Sequence, residues 1–142
     1  MNPRVPASPP ADSSRRAVND RVIRRYCEAW QKGDLATIVD CYHDEVVLHY
    51  FGKSPLAGTH RGKPAALTAL ARVQQIANRQ LLEIHDTLAS DEHAVVLARE
   101  RFERDGRRLE ANRVLVYHIR DEKLVEAWIY DEDQRAVDEM WS

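Results

Sequence analysis

The chain has 142 residues, of which 44% are hydrophobic and 31% charged, and its formal net charge is −2. That length and balance fit one globular domain with its own core. A near-neutral chain with acids and bases interleaved excludes nucleic acid and anionic membrane surfaces as expected partners. The lack of a spanning apolar run or an apolar N-terminal signal core gives a cytoplasmic expectation.

Four prolines fall within the first ten residues, so 1–13 read as a disordered tail and 14–142 as the domain. Val18, Val22, Ile23, Tyr26 and Trp30 then recur at helical spacing and form one apolar face. Gly33 suits the left-handed position that ends a helix, and Asp34 suits the N-cap of a second. Ile38, Val39 and Tyr42 continue an apolar face along that shorter helix. Cys27 and Cys41 lie on these helices among apolar neighbours and read as buried, reduced thiols; no C-x-x-C pattern or zinc spacing occurs. Residues 46–51, VVLHYF, form a β-branched and aromatic strand closed by Gly52.

Gly62-Lys63-Pro64 opens a third helix, with Leu67, Leu70, Ala71 and Ala77 as its buried stripe. A meander follows, with strands at 81–88, 93–104, 107–119 and 124–130. Asp133 caps a short terminal helix carrying Val137, Met140 and Trp141. Asp105-Gly106 is a two-residue hairpin signal, and such a turn fixes register. Glu103 then faces Arg108, and Arg101 faces Glu110, on one charge-laced face. The other face pairs Phe102 with Leu109 and Val96 with Leu115, and it holds Glu100 diagonal to Arg113.

The helix, Gly33-Asp34, short helix and strand ending at Gly52 resemble the opening of the ketosteroid isomerase and SnoaL-like group, in the nuclear-transport-factor-2-like superfamily. Residues 55–62, PLAGTHRG, resemble that group's lead into its third helix, and 123–131, KLVEAWIYD, its last strand. The resemblance covers about residues 14–142, which makes this one SnoaL-like domain. It implies an α+β fold: a cone-shaped, curved, mixed but mostly antiparallel sheet wrapped around N-terminal helices and enclosing an apolar pocket. It also implies a homodimer formed through the outer sheet face, where Val95, Val114 and Val116 lie among Arg99, Asn112 and His118.

Carried over by position, the resemblance places His49 where the isomerases keep a carboxylate base, and Tyr26 at their oxyanion-donating tyrosine. Leu115 falls at their protonated aspartic acid. Steroid isomerisation needs that base and two donors, so this activity is not expected here. The catalytic candidates are His49, Tyr26 and Asp131, with His49 as proton carrier and Asp131 at the cavity rim. Trp30, Glu100, Arg113, Leu115 and Tyr117 are candidates for contact with substrate. No metal site and no cofactor are expected. Each candidate also has a structural reading: a core tyrosine, a strand-end histidine, a Glu100–Arg113 ion pair, an N-capping Asp131.

The functional expectation is a small cofactor-independent enzyme. It would perform acid/base chemistry (isomerisation, cyclisation or dehydration) on a small apolar carbonyl-bearing or polyketide-like molecule. The alternatives are a non-catalytic binder of a small apolar ligand and a dimeric interaction module. A roomy cavity with His49 and Asp131 in hydrogen-bond reach would favour the enzyme, a cavity lined only by apolar atoms the binder, and a collapsed interior the module.

Overall fold

A computed structural model of the protein describes residues 14–142, so the tail expected at 1–13 lies outside the described residues. Helix α1 (Arg15–Lys32) begins where the Ser14 hydroxyl accepts the Ala17 N–H at 3.2 Å. It ends at Gly33, whose φ of 69° lets its N–H turn back to the carbonyls of Ala29 and Trp30. Helix α2 (Leu35–Cys41) is capped by Asp34, which accepts from the Thr37 N–H at 3.2 Å and the Thr37 hydroxyl at 2.7 Å.

Tyr42, expected on that second helix, instead opens strand β1 (Tyr42–Tyr50) with extended dihedrals. Its hydroxyl meets that of Tyr26 at 2.6 Å, a buried bond that ties the start of β1 to α1. Strand β2 (Gly58–Arg61) pairs back on β1, and α3 (Lys63–Ile76) starts with Pro64 in its first turn. Strands β3 (Asn78–Ala89), β4 (His93–Arg104), β5 (Arg107–Arg120) and β6 (Lys123–Asp131) form the meander, and α4 (Gln134–Trp141) closes the described chain. Strand β3 starts three residues earlier than the sequence suggests, at Asn78, which brings Arg79 into the sheet.

The six strands run in the order β2-β1-β6-β5-β4-β3, with β1 parallel to β6 and every other pairing antiparallel. This is the curved, unclosed, mostly antiparallel α+β sheet expected from the sequence. Register shifts in β3, between Leu81 and Glu83 and between Ile84 and Asp86, bend its edge. The β4–β5 hairpin has the expected pairing, including Glu103 with Arg108 and Phe102 with Leu109. Asp105 and Gly106 both have positive φ, 51° and 77°, as a type I′ turn requires.

The core lies between the concave sheet face and the helices. Ile23, Tyr26, Val46, Leu48, Val73, Val96, Phe102, Tyr117 and Leu124 are buried there, joined from α4 by Val137, Met140 and Trp141. On α3 the packed residues are Ala66, Ala69 and Val73. Of the expected stripe, Ala77 is buried, and Leu67 and Leu70 pack against the core while also lining a cavity that the exposed Ala71 borders.

Candidate active site

The cavity measures about 900 Å³, inside the roughly 300–1,000 Å³ span of small-molecule sites. Its walls are largely apolar and aromatic: Trp30 and Ile38 from the first two helices, Leu67 and Leu70 from α3, Leu115 and Ile129 from the sheet floor. On α3 the small Ala66 and Ala69 turn into the core, while Leu67 and Leu70 border the cavity.

A group of tyrosines forms one side. The Tyr26 ring meets Tyr42 and Tyr117 edge-on, each with centroids 5.5 Å apart, and the Tyr26–Tyr42 hydroxyl bond lies within this group. Burial pushes the Tyr26, Tyr42 and Tyr117 hydroxyls well above their ordinary pKa of 10.0. They therefore stay neutral near pH 7 and act as hydrogen-bond donors, not as bases. Burial raises Tyr50 as well, opposed by the positive charges of Arg79 and Arg113.

Four charged side chains run across four adjacent strands of the floor in alternating sign: Arg79 on β3, Glu100 on β4, Arg113 on β5 and Asp131 on β6. Arg113 donates to Glu100 Oε2 at 2.9 Å and holds Asp131 with two bonds, at 2.6 and 3.1 Å. Its guanidinium also lies 5.3 Å from the ring centroids of both Phe102 and Trp141, so α4 covers it. Burial works against the Arg113 charge, but the two carboxylates outweigh it and raise its pKa. The Arg79 Nε sits 3.6 Å from Glu100 Oε1. That oxygen is buried and accepts no hydrogen bond, and the buried Tyr50 hydroxyl has no partner either.

The structure brings together Tyr26, Trp30, Glu100, Arg113, Leu115 and Tyr117 around one cavity. Asp131 is not at the rim: its carboxylate is 3% exposed and lies behind Arg113, outside the cavity lining. The N-cap of α4 is Asp133, which accepts the Ala136 N–H at 3.1 Å.

His49 is not on the cavity wall, contrary to expectation. Its neighbours Leu48 and Tyr50 point inward, so the pleat sends His49 to the outer sheet face. There its Nε2 meets Glu126 at 2.6 Å, its Nδ1 meets Thr59 at 3.1 Å, and its ring stacks on Trp128 at 5.6 Å. The cavity wall also includes Tyr42, Tyr50 and Arg79, which the sequence alone did not single out. For Arg79 the usable signal was alternation: Arg79 and Leu81 share a side once β3 is extended back to residue 78.

Burial raises the Cys27 thiol to about 12 and also raises Cys41, so both are inert groups of the helix packing. Among the described residues no group of three or more His, Cys, Asp or Glu side chains could hold a metal ion. No described helix is long and apolar enough to cross a membrane.

Comparison with known proteins agrees with this architecture. An uncharacterized protein of Mycobacterium tuberculosis is 24% identical over 123 residues, 85% of this chain and 94% of that one. Bal32a, from a soil-derived mobile gene cassette, is 25% identical with a TM-score of 0.78, covering 91% of this chain and all of its own. A candidate polyketide cyclase of Xanthomonas campestris is 16% identical with a TM-score of 0.71, covering 91% of this chain and 100% of its own. The SnoaL-like domain family matches residues 23–127, and with an aromatic cavity over a curved sheet the chain belongs to that family.

Proposed function

We propose that the protein is a cofactor-independent acid/base enzyme acting on a small, mostly apolar, carbonyl-bearing molecule. The observation that carries this reading is Glu100 Oε1: a fully buried carboxylate oxygen on the cavity wall with no hydrogen bond. A positioned carboxylate in an apolar site can take a proton from carbon and return it elsewhere, as isomerisation, cyclisation and dehydration each require. Tyr50 and Arg79 supply donors for an oxygen that gains charge as that proton leaves, and the bonded Tyr26–Tyr42 pair keeps one proton free as a further donor. Arg113 and Asp131 act as positioning residues, since they fix the other Glu100 oxygen. The candidate polyketide cyclase of the same fold supports this class of chemistry.

Deuterium exchange tests the reading. In D₂O, 2-acetylnaphthalene with the wild-type protein should lose its methyl proton signal by NMR faster than in buffer. Glu100→Gln should slow the catalysed exchange by about 10²–10⁴, the usual cost of a positioned base, and Tyr26→Phe should slow it less. Circular dichroism would confirm that both variants are folded. Exchange that survives Glu100→Gln unchanged would falsify the assignment, and so would a wild-type rate equal to buffer across a panel of aryl ketones.

A further inference from the structure

The cavity holds two buried polar oxygens that make no hydrogen bond, with a guanidinium beside them. The Tyr50 hydroxyl and Glu100 Oε1 are buried without hydrogen-bond partners. The Arg79 guanidinium lines the same cavity, and its nearest carboxylate oxygen is that Glu100 Oε1, 3.6 Å from Nε. Tyr50 lies close enough to Arg79, Arg113 and Glu100 to feel all three charges. Native proteins seldom leave such groups unpaired, because each costs about 1–3 kcal/mol when buried unmade. Two in one recess, one able to donate and one able to accept, with the Arg79 guanidinium beside them, form a socket for a group with the opposite pattern.

Charge narrows the choice. Arg113 is held by Glu100 on one side and by Asp131 on the other, and Arg79 faces Glu100, so the row is balanced at two positive and two negative groups. At the mouth Lys32 is paired with Glu28 at 2.6 Å. The cavity therefore has no uncompensated cation calling for an anionic ligand. A neutral group with one acceptor beside one donor fits.

We infer that the recess recognises a carbonyl with a hydroxyl on the adjacent carbon. The carbonyl oxygen accepts from Tyr50 and Arg79, the hydroxyl donates to Glu100 Oε1, and the body of the molecule lies among Trp30, Leu67, Leu70 and Ile129. This inference rests on the proposed acid/base reading and names its substrate class: neutral hydroxy ketones with a flat apolar body.

Two probes with one body test it: 2-hydroxy-1-(naphthalen-2-yl)ethanone and 2-acetylnaphthalene, which lacks only the hydroxyl. NMR titration of the wild-type protein should give the hydroxy ketone an affinity about tenfold higher, the size of one hydrogen bond to a charged group. Tyr50→Phe and Arg79→Met should each weaken the hydroxy ketone by about tenfold. Tyr50→Phe has a second readout. Deleting a hydroxyl that is unpaired without ligand should leave the melting temperature of the free protein unchanged or raised, whereas a hydroxyl serving the fold would lower it.

Equal wild-type affinities for the two probes would overturn the socket. So would Tyr50→Phe and Arg79→Met variants that bind the hydroxy ketone as the wild type does, or no wild-type binding of it at millimolar concentration. The two readings fail separately. Proton exchange without a hydroxyl preference sinks the socket alone, and a hydroxyl preference without exchange sinks the acid/base reading alone.

Discussion

Single side chains set the chemistry of this cavity through their surroundings. Tyr26, Tyr42, Tyr50 and Tyr117 all have pKa values raised by burial above 10.0. In the unfolded chain they ionise near pH 10, while in the folded chain they stay protonated. Below pH 10 both states hold these protons, so the tyrosines add no pH dependence. Above pH 10 the unfolded state releases protons that the folded state keeps, and stability falls as pH rises. Each tyrosine adds a slope of about 1.4 kcal/mol per pH unit. Cys27 and Cys41 are raised in the same direction from a lower starting value, so urea melts at pH 8, 9, 10 and 11 should begin to fall near pH 9 and drop steeply above pH 10; a flat profile through pH 11 would refute the burial account. His49 shows the limit of reading single residues. Val46-Val47-Leu48-His49-Tyr50-Phe51 is apolar on both parities, so the sequence does not reveal which face turns inward. That is decided by the parallel pairing of Leu48 with Ala127 and Tyr50 with Ile129, which brings together segments some eighty residues apart. Within the β4–β5 hairpin the separations along the chain are short, and the Glu100–Arg113 contact was legible as a diagonal pair from the register that Asp105-Gly106 imposes.

At the scale of elements, helix ends and turns were the most legible features, because each rests on a few neighbouring residues. Gly33, Asp34, Pro64, Asp105-Gly106 and Asp133 all do what their local chemistry dictates. The docking of α4 was less legible, since it depends on what meets it across the fold. Gly52 provides that seat. Its φ is 94°, and a Cβ there would run into the Asp138 carboxylate and the Gln134 amide. Asp138 accepts the Lys53 N–H at 2.9 Å, and Gln134 donates to the Phe51 carbonyl at 3.0 Å. Gly52→Ala should therefore cost about 1–3 kcal/mol, from the positive φ and the displaced α4 contacts together. Chemical denaturation would measure it. A loss below about 0.5 kcal/mol, the usual size for an uninvolved surface site, would mean that α4 shifts freely on the sheet. The same helix carries Trp141 over Arg113, so the variant should also weaken binding in the cavity.

Over the whole molecule, the sheet has one face turned to the helices and one left open. The open face carries Val95, Val114 and Val116 beside the exposed rings of Phe51 and Tyr130, which stack at 5.0 Å. The homodimer expected from the sequence would use this face, and its mixed apolar and polar character suits a two-fold contact. Sedimentation equilibrium at tens of micromolar should give twice the 16.4 kDa chain mass, and Val114→Arg should return it to the monomer. A wild-type monomer at that concentration would rule the dimer out. The fold class was legible at this scale because element order and turn spacing admit few topologies. Of the cavity's polar lining Tyr26, Glu100, Arg113 and Tyr117 were legible, but Tyr50 and Arg79 were not, because they meet Glu100 only once β1, β3 and β4 take their places in the sheet.

The pleat has one more consequence, for directed evolution. Leu48, Tyr50, Leu115, Tyr117, Ala127 and Ile129 line the cavity, while residues between them on the same strands face outward. A library that randomises only the inward set would explore new substrates while leaving the outer surface as it is. One confined to His49, Val114, Val116, Glu126 and Trp128 would vary the outer surface while sparing the cavity. Three strands thus encode two nearly separable traits in alternate positions, and recombining winners from the two libraries should give close to additive gains.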